Sequence, residues 1–564
     1  MQFSEIPYKR PDFDKIRSQY IDQISRFSAA QTVEEQSLAL QAIEDVRAEF
    51  QTYSSVASVR NTIDVSNSFY DAEQQYYDQH EPLFDALNMQ YFKALTSSSF
   101  QEPLRKKYGN QLFDLASVRL KSFDEKIIDD LKEENRLTTE YMKLLASASI
   151  DFEGKKRNLA GLDPFEQSPD RSLRERAVKA RYDFLFTQKE KLDDIFDQLV
   201  KVRHVIAQKL GYNHFVELGY NRMMRTDYNA MQVADFRNLV VQHIVPLSLS
   251  LKERQKKRLG IDSFAFWDNA FQFESGNPTP KGDPDWIIQM GKEMYTELSQ
   301  QTNTFFQFMI DHGLMDLVNK DNKAAGGYCT YFPKFKSPFI FSNFNGTSHD
   351  VDVLTHEAGH AFQVYESRHF DISEYHFPTY EACEIHSMSM EFFTWPWMQK
   401  FFQQDTEKYK FLHLGGGINF LPYGCQVDEF QHIIYENPFL TPAQRNEVWK
   451  DLDKKYRPYL NYSGIPFLEQ GGAWQRQAHI YKSPFYYIDY CLAQICAFQF
   501  WQKSQVDFSA AWQDYLRLCQ AGGSQSFLKL VALAGLESPF SERAFTSAVK
   551  PIADWLAKVD DQAL

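Results

Sequence analysis

The sequence predicts a mainly α-helical protein of at least two lobes with one small β element, on three observations. The chain has 564 residues, more than one compact core holds. Apolar residues recur at helical spacing along most of it. One short stretch, 326–345, is instead dense in aromatic and β-branched residues with Gly, Pro, Asn and Ser at its borders.

In chain order, Phe13, Ile16, Tyr20, Ile24 and Phe27, then Leu40, Ile43, Val46 and Phe50, open a helical series that runs to about Leu95. A second series spans Leu112 to about Leu145, and a third Leu173 to Leu210. These read as antiparallel helical hairpins. Residues 153–169, with Gly154, Gly161, Pro164 and Pro169, link helices, and the stretch SGNPTPKGDPD (275–285) is a loop. GGYCTYFPKF and SPFIFSNFNG read as a pair of strands, after which the helical pattern resumes at Asp350. The expected division is an N-terminal helical lobe over 1–170 and a catalytic region over 171–564.

Composition narrows the classes. Hydrophobic residues make up 43% and charged ones 24%, which excludes global disorder. The net charge is −14, with no basic stripe of the kind that grips nucleic acid. The run Lys252–Arg258 is interrupted by Glu253 and Gln255 and reads as a solvated helix face. The first twenty residues hold no long apolar stretch of a secretory signal. No window of about 18 residues is apolar enough to span a membrane. The six cysteines form no CxxC pair, so they are expected to be free thiols in the cytoplasm. Cys383, beside a candidate ligand, reads as packing. Oligomeric state is not legible.

The chemistry concentrates at His356-Glu357-Ala358-Gly359-His360. On a helix, residues four apart share a face, so both imidazoles reach one metal ion. The Glu beside the first His then addresses a metal-bound water. Neutral imidazole suits zinc, and one Zn2+ per chain is expected on ligand type and availability. With 14 histidines in the chain, the pattern arises by chance on the order of a few per cent of the time. Its setting, after an apolar run with strands upstream, favours the metal. A catalytic zinc needs a third protein ligand and an open position. Glu384 is the choice, on a helical stretch that also carries Glu391 seven residues on; Glu381 is the competing position. Glu391 is placed to accept from the far nitrogen of His356 or His360.

HEAGHAF (356–362) with EIHSMSMEFF (384–393) resembles the thimet oligopeptidase and oligoendopeptidase F family. That family has a HExxH helix, a Glu about two dozen residues later and a second Glu seven further on. Here Glu384 follows His360 by 24. The C-terminal segment GGAWQRQAHIYKSPFYYIDY (471–490) resembles the family's Gly-His-Tyr landmark, and the bacterial oligoendopeptidase F relatives, Pz-peptidases included, are the most similar. The resemblance implies two helical lobes enclosing a deep substrate channel, with a small β-sheet next to the zinc helix. It further implies an edge strand that pairs with short peptide substrates, for which SPFIFSNFNG is the candidate. It implies His479 and either Tyr486 and Tyr490 or Tyr487 as helpers of the transition state, with Tyr481 also in the segment. Each tyrosine taken singly is as well explained by core packing.

The expected activity is therefore a zinc-dependent endopeptidase acting on internal bonds of short oligopeptides. Glu357 activates a zinc-bound water, and His356, His360 and Glu384 are the ligands. Two alternatives stand. One is a metallocarboxypeptidase of similar helical fold, for which only Arg368 follows the motif closely enough to read a terminal carboxylate. The other is a non-catalytic peptide-binding protein, which would have no use for Glu357.

Overall fold

The structure, a computed structural model, describes residues 2–564. Helices hold 71% of the chain and strands 4%, so the protein is mainly α as the periodicity predicts. The longer helices used below are α1 (Phe13–Ala29), α2 (Val33–Ile63), α3 (Ser68–Thr96), α4 (Ile128–Ala146), α5 (Lys189–Lys209), α6 (Phe215–Arg222), α7 (His349–Ser367), α8 (Tyr380–Phe393), α9 (Thr406–Glu436) and α10 (Tyr487–Val506).

The N-terminal hairpins form for local reasons. Asp12, Thr32 and Asn67 cap α1, α2 and α3 by accepting from backbone N–H groups of the first turn. The apolar stripe Ile16, Tyr20 and Phe27 of α1 then meets Leu40, Ile43 and Phe50 of α2 and Tyr77, Phe84 and Tyr91 of α3. Each such side chain, fully buried, stabilises the fold by about 1.5–3 kcal/mol. Phe50 and Phe84 stack with centroids 4.1 Å apart at the middle of this core. A second, larger core gathers α4–α10 and the helices after them.

The link read at 153–169 starts with a feature absent from the sequence reading. Ile150–Phe152 (β1) and Lys155–Arg157 (β2) pair antiparallel around Glu153 and Gly154. Both turn residues have positive φ, 48° and 71°, as a two-residue hairpin turn demands. The loop at 275–285 is irregular as far as Asp283, which caps a helix begun by Pro284.

The expected strand pair is part of a three-stranded sheet. β5 (Ser337–Phe344) is central, parallel to β3 (Met315–Val318) and antiparallel to β4 (Tyr328–Phe332). This corrects one expectation. SPFIFSNFNG is not an edge strand: both its sides are paired and it is almost wholly buried, as its unbroken apolar run fits. The two edges are β3 and β4, and the one that lies along the cleft is β4, from GGYCTYF, whose first three residues are half-buried. Among the described residues, no helix is long and apolar enough to cross a membrane.

Between the two cores runs a cleft enclosing about 630 Å³. α2 contributes Arg47 and Gln51 to one wall, the segment Gly326–Tyr331 lies along it, and α7 and α8 reach it with the metal motif.

Candidate metal centre and active site

α7 and α8 position the site. The turn before α7 is held by Asp350, whose carboxylate accepts from the N–H groups of Asn345 (2.9 Å) and Gly346 (2.8 Å). α7 then crosses α8 so closely that a Cβ on Gly359 would lie 2.7 Å from the backbone of His386 and Ser387. Glycine inside the HEAGH motif is therefore a packing requirement. It lets the His-bearing face of one helix meet the Glu-bearing face of the other.

The result is convergence. His356 Nε2 lies 3.2 Å and His360 Nε2 3.3 Å from the same oxygen, Glu384 Oε2. One donor atom from each residue falls within 4.8 Å of the others. Glu381, the competing position, is buried instead beside Asp489 and Arg225.

Beyond the three lies a chain of hydrogen bonds. His356 Nδ1 pairs with Glu391 Oε1 at 2.7 Å, and Glu391 Oε2 pairs with His413 Nε2 at 2.6 Å. Trp395 Nε1–H donates to His413 Nδ1 at 3.1 Å. Since Trp395 is only a donor, His413 carries its proton on Nε2 and gives it to Glu391. With the carboxylate accepting from His356 Nδ1–H as well, His356 presents its Nε2 lone pair toward Glu384 and His360. His413 and Trp395 were not identified from the sequence.

The electrostatics are those of imidazoles and carboxylates brought into contact. Burial opposes charge on the His356 imidazole, yet Glu384 and Glu391 raise it well above its ordinary range. Glu384 is held well below the usual carboxylate range, its burial outweighed by His360 and His356. Glu391, likewise buried, is drawn down to about 2 by His356 and His413. Two imidazole nitrogens and one carboxylate oxygen are the donor set of a catalytic zinc with a position to spare. The residues fit the ion.

Glu357 is buried, and its Oε2 has no hydrogen-bond partner. Burial raises its carboxyl above the ordinary range, with His356 and His360 pulling the other way. Gly327, next to β4, makes room for it: a Cβ there would come within 3.2 Å of Glu357 Oε1. An unpaired buried carboxylate oxygen is costly unless something else comes to bind it.

The C-terminal segment supplies the opposite wall. Tyr486 Oη donates to Glu384 Oε1, and Tyr490 Oη lies 3.2 Å from His479 Nε2. Both tyrosines and His479 line the cleft. Tyr487 is not among the residues lining the cleft; its ring packs on His479 at 5.0 Å and against Tyr423 and Phe420, and Tyr481 is core, stacked 3.9 Å from Tyr141. Of the two registers the sequence left open, the residues that line the cleft are Tyr486 and Tyr490. Gln477 lies between Tyr423 and His479. Its Oε1 accepts from Tyr423 at 2.6 Å, so its amide N–H donates to His479 Nδ1 at 2.8 Å. His479 therefore keeps its proton on Nε2, and burial together with nearby Lys482 lowers it to about 4, so it is neutral at pH 7. Arg368 is not on the cleft; it stacks on Tyr365 at 3.5 Å. Arg119 and Lys482 do line it, which the sequence did not reveal. Cys383 also borders it, its thiol turned to Pro378 O at 3.3 Å.

Residues 3–123 match the profile of the peptidase M3 N-terminal domain, and residues 165–278 and 291–550 that of peptidase family M3. Pz peptidase A, solved with an inhibitor, is 55% identical over the whole of both chains, with a TM-score of 0.99. A protein from Bacillus anthracis str. Ames assigned as an oligoendopeptidase F is 50% identical over 100% of this chain and 99% of its own, with a TM-score of 0.95. The oligoendopeptidase-F of Enterococcus faecium is 16% identical over 98% of this chain and 99% of its own at a TM-score of 0.64, a likeness of fold alone. No curated protein matches the chain.

Proposed function

Because the chain belongs to peptidase family M3, we propose that this metallopeptidase is a zinc-dependent endopeptidase that cuts internal bonds of short oligopeptides. The observation that carries the reading is the meeting of His356, His360 and Glu384 beside a buried Glu357 with an unpartnered oxygen. His356, His360 and Glu384 would hold one Zn2+, which when bound supplies a Lewis acid that polarises the scissile carbonyl and acidifies water. All else in the mechanism belongs to the chain.

The free edge of β4 takes the peptide backbone as an added strand, which sets the scissile bond along the cleft. Glu357 accepts a proton from the attacking water and hands it to the departing amine; its raised proton affinity suits both halves of that exchange. His479, neutral and protonated on Nε2, and the hydroxyls of Tyr486 and Tyr490 are the donors available to the carbonyl oxygen as it gains charge. A cleft walled by two helical cores admits an extended peptide and excludes a folded domain. The acidic chain offers nothing to nucleic acid, and its six free cysteines suit a reducing cytoplasm.

The test uses wild type and Glu357→Gln with short peptides blocked at both ends, read by mass spectrometry. Wild type is expected to cut internally, and the variant to be slower by at least about 10²-fold while retaining zinc. Trimming of unblocked peptides alone would move the assignment to a carboxypeptidase, with Arg119 and Lys482 the cations to examine. Binding without cleavage would make this a peptide-binding protein.

A further inference from the structure

Arg225 follows α6, and its side chain is wholly buried. Its Nη2 group donates to two atoms at once, the Phe485 carbonyl oxygen at 2.6 Å and Asp489 Oδ1 at 2.7 Å. Both acceptors lie at the start of α10, the helix that carries Tyr490. The guanidinium rests on the ring of Tyr220 at 4.3 Å, and Tyr228 Oη donates to the same Asp489 oxygen at 3.3 Å. A buried ion pair is a poor means of stabilising a fold, because apolar residues of similar volume do as well or better. What the planar guanidinium does supply is a fixed geometry.

The backbone on both sides of that contact is strained. Among the described residues, six other than glycine have positive φ, and two of them meet here: Met224 (55°), directly before Arg225, and Phe485 (69°), whose carbonyl accepts from Arg225. A bulky side chain in that region is an outlier that persists only where its surroundings over-determine it. Phe485 is held on three sides. Arg225 binds its carbonyl, Gln431 Oε1 accepts from its N–H at 2.9 Å, and its ring presses on Gly219, where a Cβ would lie 2.4 Å from it. Gln431 is itself fixed by donating to Val427 O at 3.0 Å. The next residue is Tyr486, whose hydroxyl donates to Glu384, and one turn on is Tyr490, beside His479.

We propose that Arg225 is a positioning residue of the peptidase reaction: by pinning the Phe485 carbonyl and Asp489 together it sets the roll of α10 that turns Tyr486 and Tyr490, rather than Tyr487, to the cleft. The proposal rests on the endopeptidase reading above, in which those two hydroxyls are donors to the carbonyl oxygen as it gains charge. Arg225 is not among the residues lining the cleft, so it acts through the two tyrosines. A donor misplaced by about 1 Å loses on the order of 10²-fold in rate. A loosened pin therefore shows in kcat, while peptide binding along β4 is kept.

The experiment follows cleavage of doubly blocked peptides by zinc-loaded wild type, Arg225→Met and Gly219→Ala. The last pushes the Phe485 ring from the opposite side and leaves Arg225 in place. Phe50→Leu, in the N-terminal core, is the control for lost stability. Arg225→Met and Gly219→Ala are expected to lower kcat by about 10- to 100-fold with KM within about threefold, and Phe50→Leu to leave kcat within about twofold. In a Tyr486→Phe, Tyr490→Phe background each of the first two should cost less than about threefold more. An equal loss in both backgrounds, a rise in KM alone or an unchanged kcat overturns the proposal, and so does a loss in Phe50→Leu that matches theirs. If Arg225→Met does not fold, Gly219→Ala decides alone. Should wild type cut none of the peptides, the endopeptidase reading fails, and the pin is judged by fluorine NMR with Tyr486 replaced by fluorotyrosine. Its resonance must then shift or split in Arg225→Met or Gly219→Ala and stay in place in Phe50→Leu; an unmoved line would overturn the proposal.

Discussion

The orientation of His356 depends on three residues spread over 391–413. Glu391 accepts from its Nδ1, His413 donates to Glu391, and Trp395 donates to His413. Removing the middle of this chain leaves His356 free to rotate or to change tautomer. His413→Ala and Glu391→Gln are therefore expected to weaken zinc retention by about 10- to 100-fold, measured by competition with a chromophoric chelator. Trp395→Phe, which removes only the last donor, should cost less. Wild-type affinity in His413→Ala would show that Glu391 needs no second partner. Of this chain the sequence offered only Glu391, through its seven-residue offset from Glu384. His413 lies on another helix, and no local spacing ties it to the motif. The tyrosines show the same limit. Four-residue spacing puts Tyr486 and Tyr490 on one face and Tyr487 on another. Which face meets the cleft depends on how α10 rolls against α8 and α9, and only the tertiary packing sets that.

At the scale of elements, the metal site is a helix crossing. The donors on α7 and α8 stand 3.2–3.3 Å apart because Gly359 lets the backbones touch. Gly359→Ala places a methyl 2.7 Å from backbone atoms that have no rotamer to yield. It is expected to destabilise the protein by about 1–3 kcal/mol, as overpacking does, and to weaken zinc binding by separating His360 from Glu384. Gly416→Ala is the matching control: the same substitution within a helix, with nothing in front of it. A calorimetric comparison should find the first variant's melting temperature lowered and the second's unchanged or raised; equal midpoints would mean that the crossing is looser than its geometry. The helices were legible from period 3.6, whereas the caps Asp12, Thr32 and Asn67 emerged only with the structure. The strand order was not legible either. SPFIFSNFNG and GGYCTYF are similar in composition, and the fact that decides their places is the existence of β3, a four-residue strand too short to announce itself.

For the whole molecule the question is what holds the parts in register around the cleft. One tie is the connection between α7 and α8. Ile372 and Tyr375 insert into the N-terminal core, and Tyr375 Oη donates to Tyr108 O at 2.5 Å while accepting from Leu112 N–H at 3.0 Å. The second tie is charged and makes stability depend on pH. Glu134 of α4 receives Arg203 of α5 at 2.6 Å and Arg222 of α6 at 2.8 Å, and Arg203 is fully buried, also donating to Tyr435 Oη and Tyr481 O. Burial alone would raise the Glu134 carboxyl; Arg222 and Arg203 outweigh it and hold it at about 2. In the unfolded chain it titrates near its ordinary value of about 4.3. Between those two values the unfolded state binds the extra proton. The stabilisation is accordingly complete above about pH 4.3 and is lost as pH falls toward 2, with a span of about 3 kcal/mol as an upper figure. Glu134→Gln removes that dependence and strands a buried guanidinium, which costs about 3–5 kcal/mol at pH 7. Urea midpoints measured from pH 7 to pH 3 should therefore fall more steeply for wild type than for the variant, the two curves converging in acid. Parallel curves would assign the acid sensitivity to other carboxylates and leave Glu134 a packing residue. This tie was not legible in the sequence, since Glu134, Arg203 and Arg222 each sit at an ordinary polar position of a helical pattern. Only the docking of α4 against α5 and α6 turns three surface-like charges into one buried cluster.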